Sequence, residues 1–135
     1  MTKANIASLV RKAKAARRQA YAPYSRFKVG AALLTRRGEV FTGCNVENAS
    51  YGLCNCAERT ALFAAIAAGC KRGDFTHLAV IGSTDEPLSP CGACRQVMFE
   101  LGGPQLVVVQ ANVRGQIAVT TAAELLPGAF RLKRK

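Results

Sequence analysis

The sequence predicts an α/β fold in which helices cover both faces of a single β-sheet. Three observations carry that prediction. Segments with apolar residues at helical spacing alternate with short strand-like apolar segments, the order that builds one layered sheet. The chain has 135 residues, half of them hydrophobic, enough for one core and too apolar for a disordered chain. No repeat and no linker interrupts it, so residues 1–135 are expected to form a single domain.

Each element has its own signal. Residues 3 to about 20 carry Ile6, Leu9, Val10 and Ala13 near helical spacing with polar residues between them, and Ala22-Pro23 ends this amphipathic helix. Residues 27–34 read as a strand, Arg36-Arg37-Gly38 as a turn, and residues 39–43 as the hairpin partner. The stretch 44–55 is rich in Asn, Ser and Gly, the composition of a functional loop. Residues 56–68, CAERTALFAAIAA, favour helix and are almost wholly apolar, with Gly69 as a stop. A helix this apolar requires burial on more than one side. Residues 77–81 predict a short buried strand, 83–90 a polar loop, and 91–101 a second helix closed by Gly102-Gly103-Pro104. Two more strands at 106–110 and 116–119 and a short helix at 121–126 complete the chain.

The net charge is +11, which raises the question of a polyanionic partner. Six basic residues lie in the first eighteen positions, and Arg131, Lys133, Arg134 and Lys135 crowd the last five. No aromatic residues are interleaved there to stack bases. Both ends therefore read as solvated peripheries, and nucleic acid is the less favoured partner. The N-terminal stretch lacks the uninterrupted apolar core of a secretory signal, and no run is long enough to cross a bilayer. A cytoplasmic protein is expected. In a reducing compartment the six cysteines point to metal or catalysis before disulfides.

Two stretches carry the chemistry: Cys56-Ala57-Glu58 and Pro90-Cys91-Gly92-Ala93-Cys94. Each opens a predicted helix, where unpaired N–H groups and the positive end of the dipole favour a thiolate. Cys91 and Cys94, three apart, face the same way on a first turn. With Cys56 they offer three soft ligands for tetrahedral zinc, one ion per chain, and leave the fourth position to water. Zinc lowers the pKa of such a water to about 7. Glu58, two residues beyond Cys56, points to a different side of the helix and is free to act as a proton carrier. A bland alternative stands beside this one. Cys54 and Cys56 with Cys91 and Cys94 would make a structural four-cysteine zinc site, with Glu58 a mere first-turn carboxylate.

The pair of motifs resembles the general signature of zinc deaminases, H-x-E followed by P-C-x-x-C, in the version with Cys for His. Nearly the whole chain also resembles the small homotetrameric cytidine deaminases. YAPYSRFKVGAALL, GCNVENASYGLCNCAERTALF, SPCGACRQV and ELLPGAF are similar to successive blocks of that family. The resemblance implies a three-layer α/β/α sandwich with a mixed five-stranded sheet. It implies that Cys56, Cys91 and Cys94 ligate zinc, that Glu58 shuttles protons, and that Arg59 hydrogen-bonds the ligand thiolates. Asn45 and Glu47 match residues that bind ribose hydroxyls, and Phe27 an aromatic that packs against the pyrimidine. The Ala57 N–H and the Ser89 C=O match groups that read the base edge. Phe130 resembles an aromatic lent to a neighbouring subunit's site, and Tyr51 lies in a loop similar to one at subunit contacts.

On pattern alone Phe27 and Phe130 are more often core residues than ligand contacts, and Asn45 and Asn48 serve equally well as turn residues. Cys44, Cys54 and Cys70 read as buried free thiols, and His77 as structural. The expected reaction is hydrolysis of cytidine and 2′-deoxycytidine to the uridine product and ammonia. Three rivals keep some of the same features: a polynucleotide cytosine deaminase, a deaminase of nucleoside-like antibiotics, and a non-enzymatic zinc protein.

Overall fold

In the computed structural model, which describes residues 2–133, the elements follow the expected order with shifted ends. Helix α1 (Lys3–Arg17) starts at Thr2, whose hydroxyl accepts the Asn5 N–H at 3.2 Å. It ends three residues earlier than expected because the chain leaves to pair elsewhere. Tyr21 N–H donates to the Asn45 carbonyl, and Glu47 N–H donates to the Tyr21 carbonyl. Strand β1 (Val29–Thr35) starts two residues later than expected. The cause is Asn45, whose side chain donates to the Phe27 carbonyl and accepts from Val29 N–H, at 2.7 and 2.8 Å. Phe27 therefore stands before the strand.

Strand β2 (Val40–Cys44) returns as the hairpin partner, and the loop after it holds a 3₁₀ turn, Tyr51–Leu53. Helix α2 (Ala57–Ala67), strand β3 (Phe75–Gly82), helix α3 (Gly92–Gly102), strands β4 (Val107–Asn112) and β5 (Ile117–Thr121), and helix α4 (Ala122–Leu125) follow. Cys56 and Cys91 are the N-caps of α2 and α3 and not their first helical residues.

The sheet runs β2-β1-β3-β4-β5. Only β3 and β4 are parallel, as their connection through α3 requires, while the other neighbours are antiparallel. The sheet is thus mixed and five-stranded. One face lies under α1, with Leu9 and Ala13 packed over Ala32, Ala79, Ile81 and Val109. The other lies under α2 to α4, where Leu62, Met98 and Phe99 meet Leu33, Leu78, Val80 and Val108. This is the three-layer α/β/α arrangement.

Two glycines set how close the layers come. A Cβ on Gly30 would stand 2.0 Å from the Ala13 carbonyl oxygen of α1, and one on Gly43 2.5 Å from the Ala57 carbonyl oxygen of α2. The bare backbone at Gly43 lets the first turn of α2 rest directly on β2. At the same edge β2 and β3 end, and their loops lead into α2 and α3. The C-terminal ends of strands are where α/β sheets leave room for a ligand.

No described helix is long and apolar enough to cross a membrane. Arg134 and Lys135, half of the expected basic C-terminal cluster, lie outside the described residues. Of the rest, Arg131 stacks its guanidinium 4.9 Å above the Phe99 ring, so this end is partly anchored.

Candidate active site

The N-caps of α2 and α3 converge, and with them the three predicted sulfurs. Cys56 and Cys91 Sγ are 3.8 Å apart, and all three Sγ atoms lie within 4.8 Å of one another. Four ligands at ~2.3 Å on a tetrahedron stand about 3.8 Å apart, so the donor set fits zinc in type and spacing. Cys94 is fully buried, Cys56 half-buried and Cys91 exposed, which leaves one side of the cluster open.

The electrostatics agree with that fit. The hydrogen bond with Cys94, followed by the Arg59 guanidinium, pulls the Cys56 thiol down to about 5. The same bond to Cys56 and then burial push Cys94 well above the ordinary thiol range. Sulfurs this close share one negative charge unless a dication neutralises the rest. Arg59 Nη2 donates to Cys56 Sγ at 3.2 Å, and that contact raises the already high pKa of Arg59. Three thiolates on a dipositive ion would carry a net negative charge, and the guanidinium stands where it would offset that charge. Arg59 Nε is buried without a hydrogen-bond partner.

Cys54 takes no part in the cluster. Its thiol accepts Asn48 N–H at 3.2 Å and reaches the Asn48 carbonyl at 3.6 Å, closing the loop after β2. The four-cysteine alternative is not what these residues build. Cys44, Cys54 and Cys70 are free, as expected, but half-buried where full burial was the expectation.

A cleft of about 240 Å³ opens beside the cluster. Cys56, Ala57 and Glu58 from α2, Asn45 and Glu47 from the loop after β2, and Phe27 before β1 all line it. Ser89 and Cys91 close it from the loop before α3. Glu58 is 3% exposed, and burial lifts its carboxyl to about 7, with the Cys56 thiolate adding to the effect. A carboxyl poised there can take and return a proton near neutral pH. Ala57, fully buried, brings a first-turn N–H that the helix itself leaves unpaired.

Phe27 is 36% exposed and belongs to the cleft wall, so its alternative as a core residue is excluded. Asn45 clamps the backbone around Phe27, which makes it more than a turn former. Glu47 Oε1 accepts the N–H groups of Tyr24 and Ser25 at 3.0 and 3.1 Å, and Oε2 accepts the Ser25 hydroxyl. The Ser25 hydroxyl bond is the main reason the Glu47 carboxyl is held below its usual range.

Two expected site residues lie apart from this cleft in the single chain. Tyr51 lines an adjoining hollow with Tyr24, Ser25, Glu47 and Cys54, and it is 75% exposed. Phe130 stands 69% exposed in an apolar groove with Phe63, Val97 and Leu101. Its carbonyl accepts from Gln96 Nε2. Neither is a core residue.

Sequence reasoning missed Ser25, Leu88 and Arg95. Ser25 and Leu88 line the cleft. Arg95 donates to the Pro90 and Leu125 carbonyls, each at 2.8 Å, and to Ser89 Oγ at 2.6 Å. It thereby ties the Cys91 loop to α4. The only signal was position: each lies inside or next to a block already singled out.

Comparison with known proteins agrees with this geometry. Residues 3–110 match the family described as "Cytidine and deoxycytidylate deaminase zinc-binding region". The chain is 50% identical over 126 residues to a cytidine deaminase of Sporosarcina psychrophila, covering 93% of this chain and 91% of that one. It is 56% identical over 122 residues to a cytidine deaminase of Halalkalibacterium halodurans, covering 90% and 91%. The crystal structure of a cytidine deaminase from Burkholderia pseudomallei superposes with a TM-score of 0.92 at 64% identity, covering 96% and 100%.

Proposed function

The chain belongs to the family of cytidine and deoxycytidylate deaminases with this zinc-binding region, and we propose that it hydrolyses cytidine and 2′-deoxycytidine to uridine and 2′-deoxyuridine with release of ammonia. The observation that carries the reading is one juxtaposition: three sulfurs at zinc spacing beside a buried carboxyl that faces a nucleoside-sized cleft.

Cys56, Cys91 and Cys94 hold the zinc, and Arg59 balances their charge. When bound, zinc supplies an activated water at neutral pH. Glu58 takes the proton of the attacking water and delivers it to the ring nitrogen beside carbon 4. It then carries a proton to the departing amine, which leaves as ammonia. One carboxyl serves all transfers because donor and acceptor positions lie within one hydrogen-bond reach. Phe27 packs the pyrimidine, while the Ala57 N–H and the Ser89 C=O read its edge. Asn45 and Glu47 hold the ribose hydroxyls with the lone pairs and N–H that their present bonds leave over.

The active unit in this reading is a cytoplasmic homotetramer in which Phe130 and Tyr51 complete a neighbour's site. Three thiol ligands suit a reducing compartment. Phe63, Ile66 and Phe130 leave an apolar surface exposed on the single chain, and closed symmetry is the usual way to cover one. The test is ultraviolet absorbance on adding cytidine, 2′-deoxycytidine or a cytosine-containing oligonucleotide. Turnover of both nucleosides without the oligonucleotide is expected. Turnover of the oligonucleotide alone would transfer the reading to a polynucleotide deaminase.

A further inference from the structure

The positive charge of the molecule is concentrated in one segment. The first 38 residues contain ten of the nineteen basic residues and none of the eight acidic ones, so the rest of the chain is nearly neutral. Helix α1 is the core of that segment and by itself forms one outer layer of the sandwich. Leu9 and Ala13 turn inward, which leaves Arg11, Lys14 and Arg18 as a row on the opposite side, with Lys12 on its flank. All four are exposed. Seven residues of helix make this row about 10 Å long.

Among the described residues, the salt bridges are Arg72–Glu100 and Arg114–Asp85, and neither touches α1. The pairs Arg11/Lys14 and Lys14/Arg18 are like charges at i,i+3 and i,i+4, an arrangement that costs helix stability. The favourable interaction of cations with a helix C-terminus covers Lys14 and Arg17 in the last turn, but not Arg11.

From this charge complementarity we propose that the outer face of α1 docks the phosphate backbone of nucleic acid. Between Lys14 and Arg18 the uncharged residues are Ala15 and Ala16, so the face has no large apolar side chain to enter a bilayer and no aromatic anchor for a protein partner. Phosphate contacts without stacking or base readout make the binding indifferent to sequence. The surface is also compatible with assembly, because α1 lies on the opposite layer from the groove of Phe63 and Phe130. The polymer is held outside the cleft, and its cytosines are not substrates of this contact.

The test is fluorescence anisotropy of a labelled 20-base-pair DNA duplex, titrated with protein from 50 to 200 mM KCl. Four phosphate contacts predict affinity falling about 10²-fold across that range. Arg11→Gln/Lys14→Gln/Arg18→Gln should bind at least tenfold more weakly at 50 mM and show a much flatter salt dependence. Arg37→Gln/Lys71→Gln/Lys133→Gln removes the same charge elsewhere and should bind within about threefold of the parent. Both should deaminate cytidine at the parent rate. Equal loss in the two variants would reduce the effect to net charge and overturn the proposal. So would no binding at 50 mM, or binding to phosphatidylserine vesicles in preference to the duplex.

Discussion

Ser25 Oγ donates to Glu47 and accepts from Phe27 N–H, so one hydroxyl joins the carboxylate proposed for ribose to the aromatic proposed for the base. Ser25→Ala should leave zinc content and kcat near the parent values. It should raise KM several-fold, since roughly one net hydrogen bond is worth about 1 kcal/mol. Steady-state kinetics on cytidine check this, and a KM unchanged by Ser25→Ala would make the bond incidental. His77 tests a residue with no place in the chemistry. Its Nδ1 is buried without a partner, and burial lowers its pKa. The unfolded state therefore takes up the proton first, so this contribution is full above about 6.5 and is lost as pH falls through the folded value. His77→Gln should flatten the loss of urea resistance between pH 7 and 5.5, and an unchanged slope would remove His77 as a cause. The convergence of Cys56, Cys91 and Cys94 was legible at this scale because soft donors at fixed spacing before helices have few other uses. Ser25 and Arg95 were not, because a hydroxyl or guanidinium reveals its partners only once distant loops meet.

At the scale of elements, the N-termini of α2 and α3 meet because each follows a strand that ends at the same edge of the sheet. The sequence showed both helices through their apolar composition and glycine stops. It did not show the strand order, since pairing β3 with both β1 and β4 is a long-range choice that no local period encodes. It also missed the late start of β1, which Asn45 imposes from sixteen residues away. Gly43 and Gly30 separate packing from site geometry. Gly43→Ala forces the first turn of α2 off β2, and Gly30→Ala forces α1 off β1. Each should cost about 1–3 kcal/mol of stability by overpacking. Only Gly43→Ala should also weaken zinc retention against a chelator, because Cys56 and Glu58 ride on α2. Equal zinc retention in the two variants would contradict that coupling.

For the whole molecule, the exposed Phe63, Ile66 and Phe130 mark where the single chain does not meet the sequence expectation that residues 56–68 are buried on more than one side. The single chain buries one side of α2, through Ala61, Leu62 and Ala65, and leaves Phe63 and Ile66 exposed on the other. Phe130→Ala should raise KM more than it changes zinc content. Mixed with Glu58→Gln chains it should regain part of the lost activity in hybrids, because some sites recover both groups. A fully active monomer in sedimentation at assay concentration would return Phe130 to a surface role. Deleting residues 132–135 should leave nucleoside turnover intact.

Glu58 beside the three cysteines is the centre of the proposed mechanism, and one paired measurement reaches it directly: zinc per chain and cytidine turnover in the same preparation of parent, Glu58→Gln and Cys91→Ala. Glu58→Gln should keep about one zinc and lose 10²- to roughly 10⁴-fold in kcat, while Cys91→Ala should lose the metal and stability together. Near-parental turnover in zinc-replete Glu58→Gln, or unchanged zinc in Cys91→Ala, would contradict the mechanism.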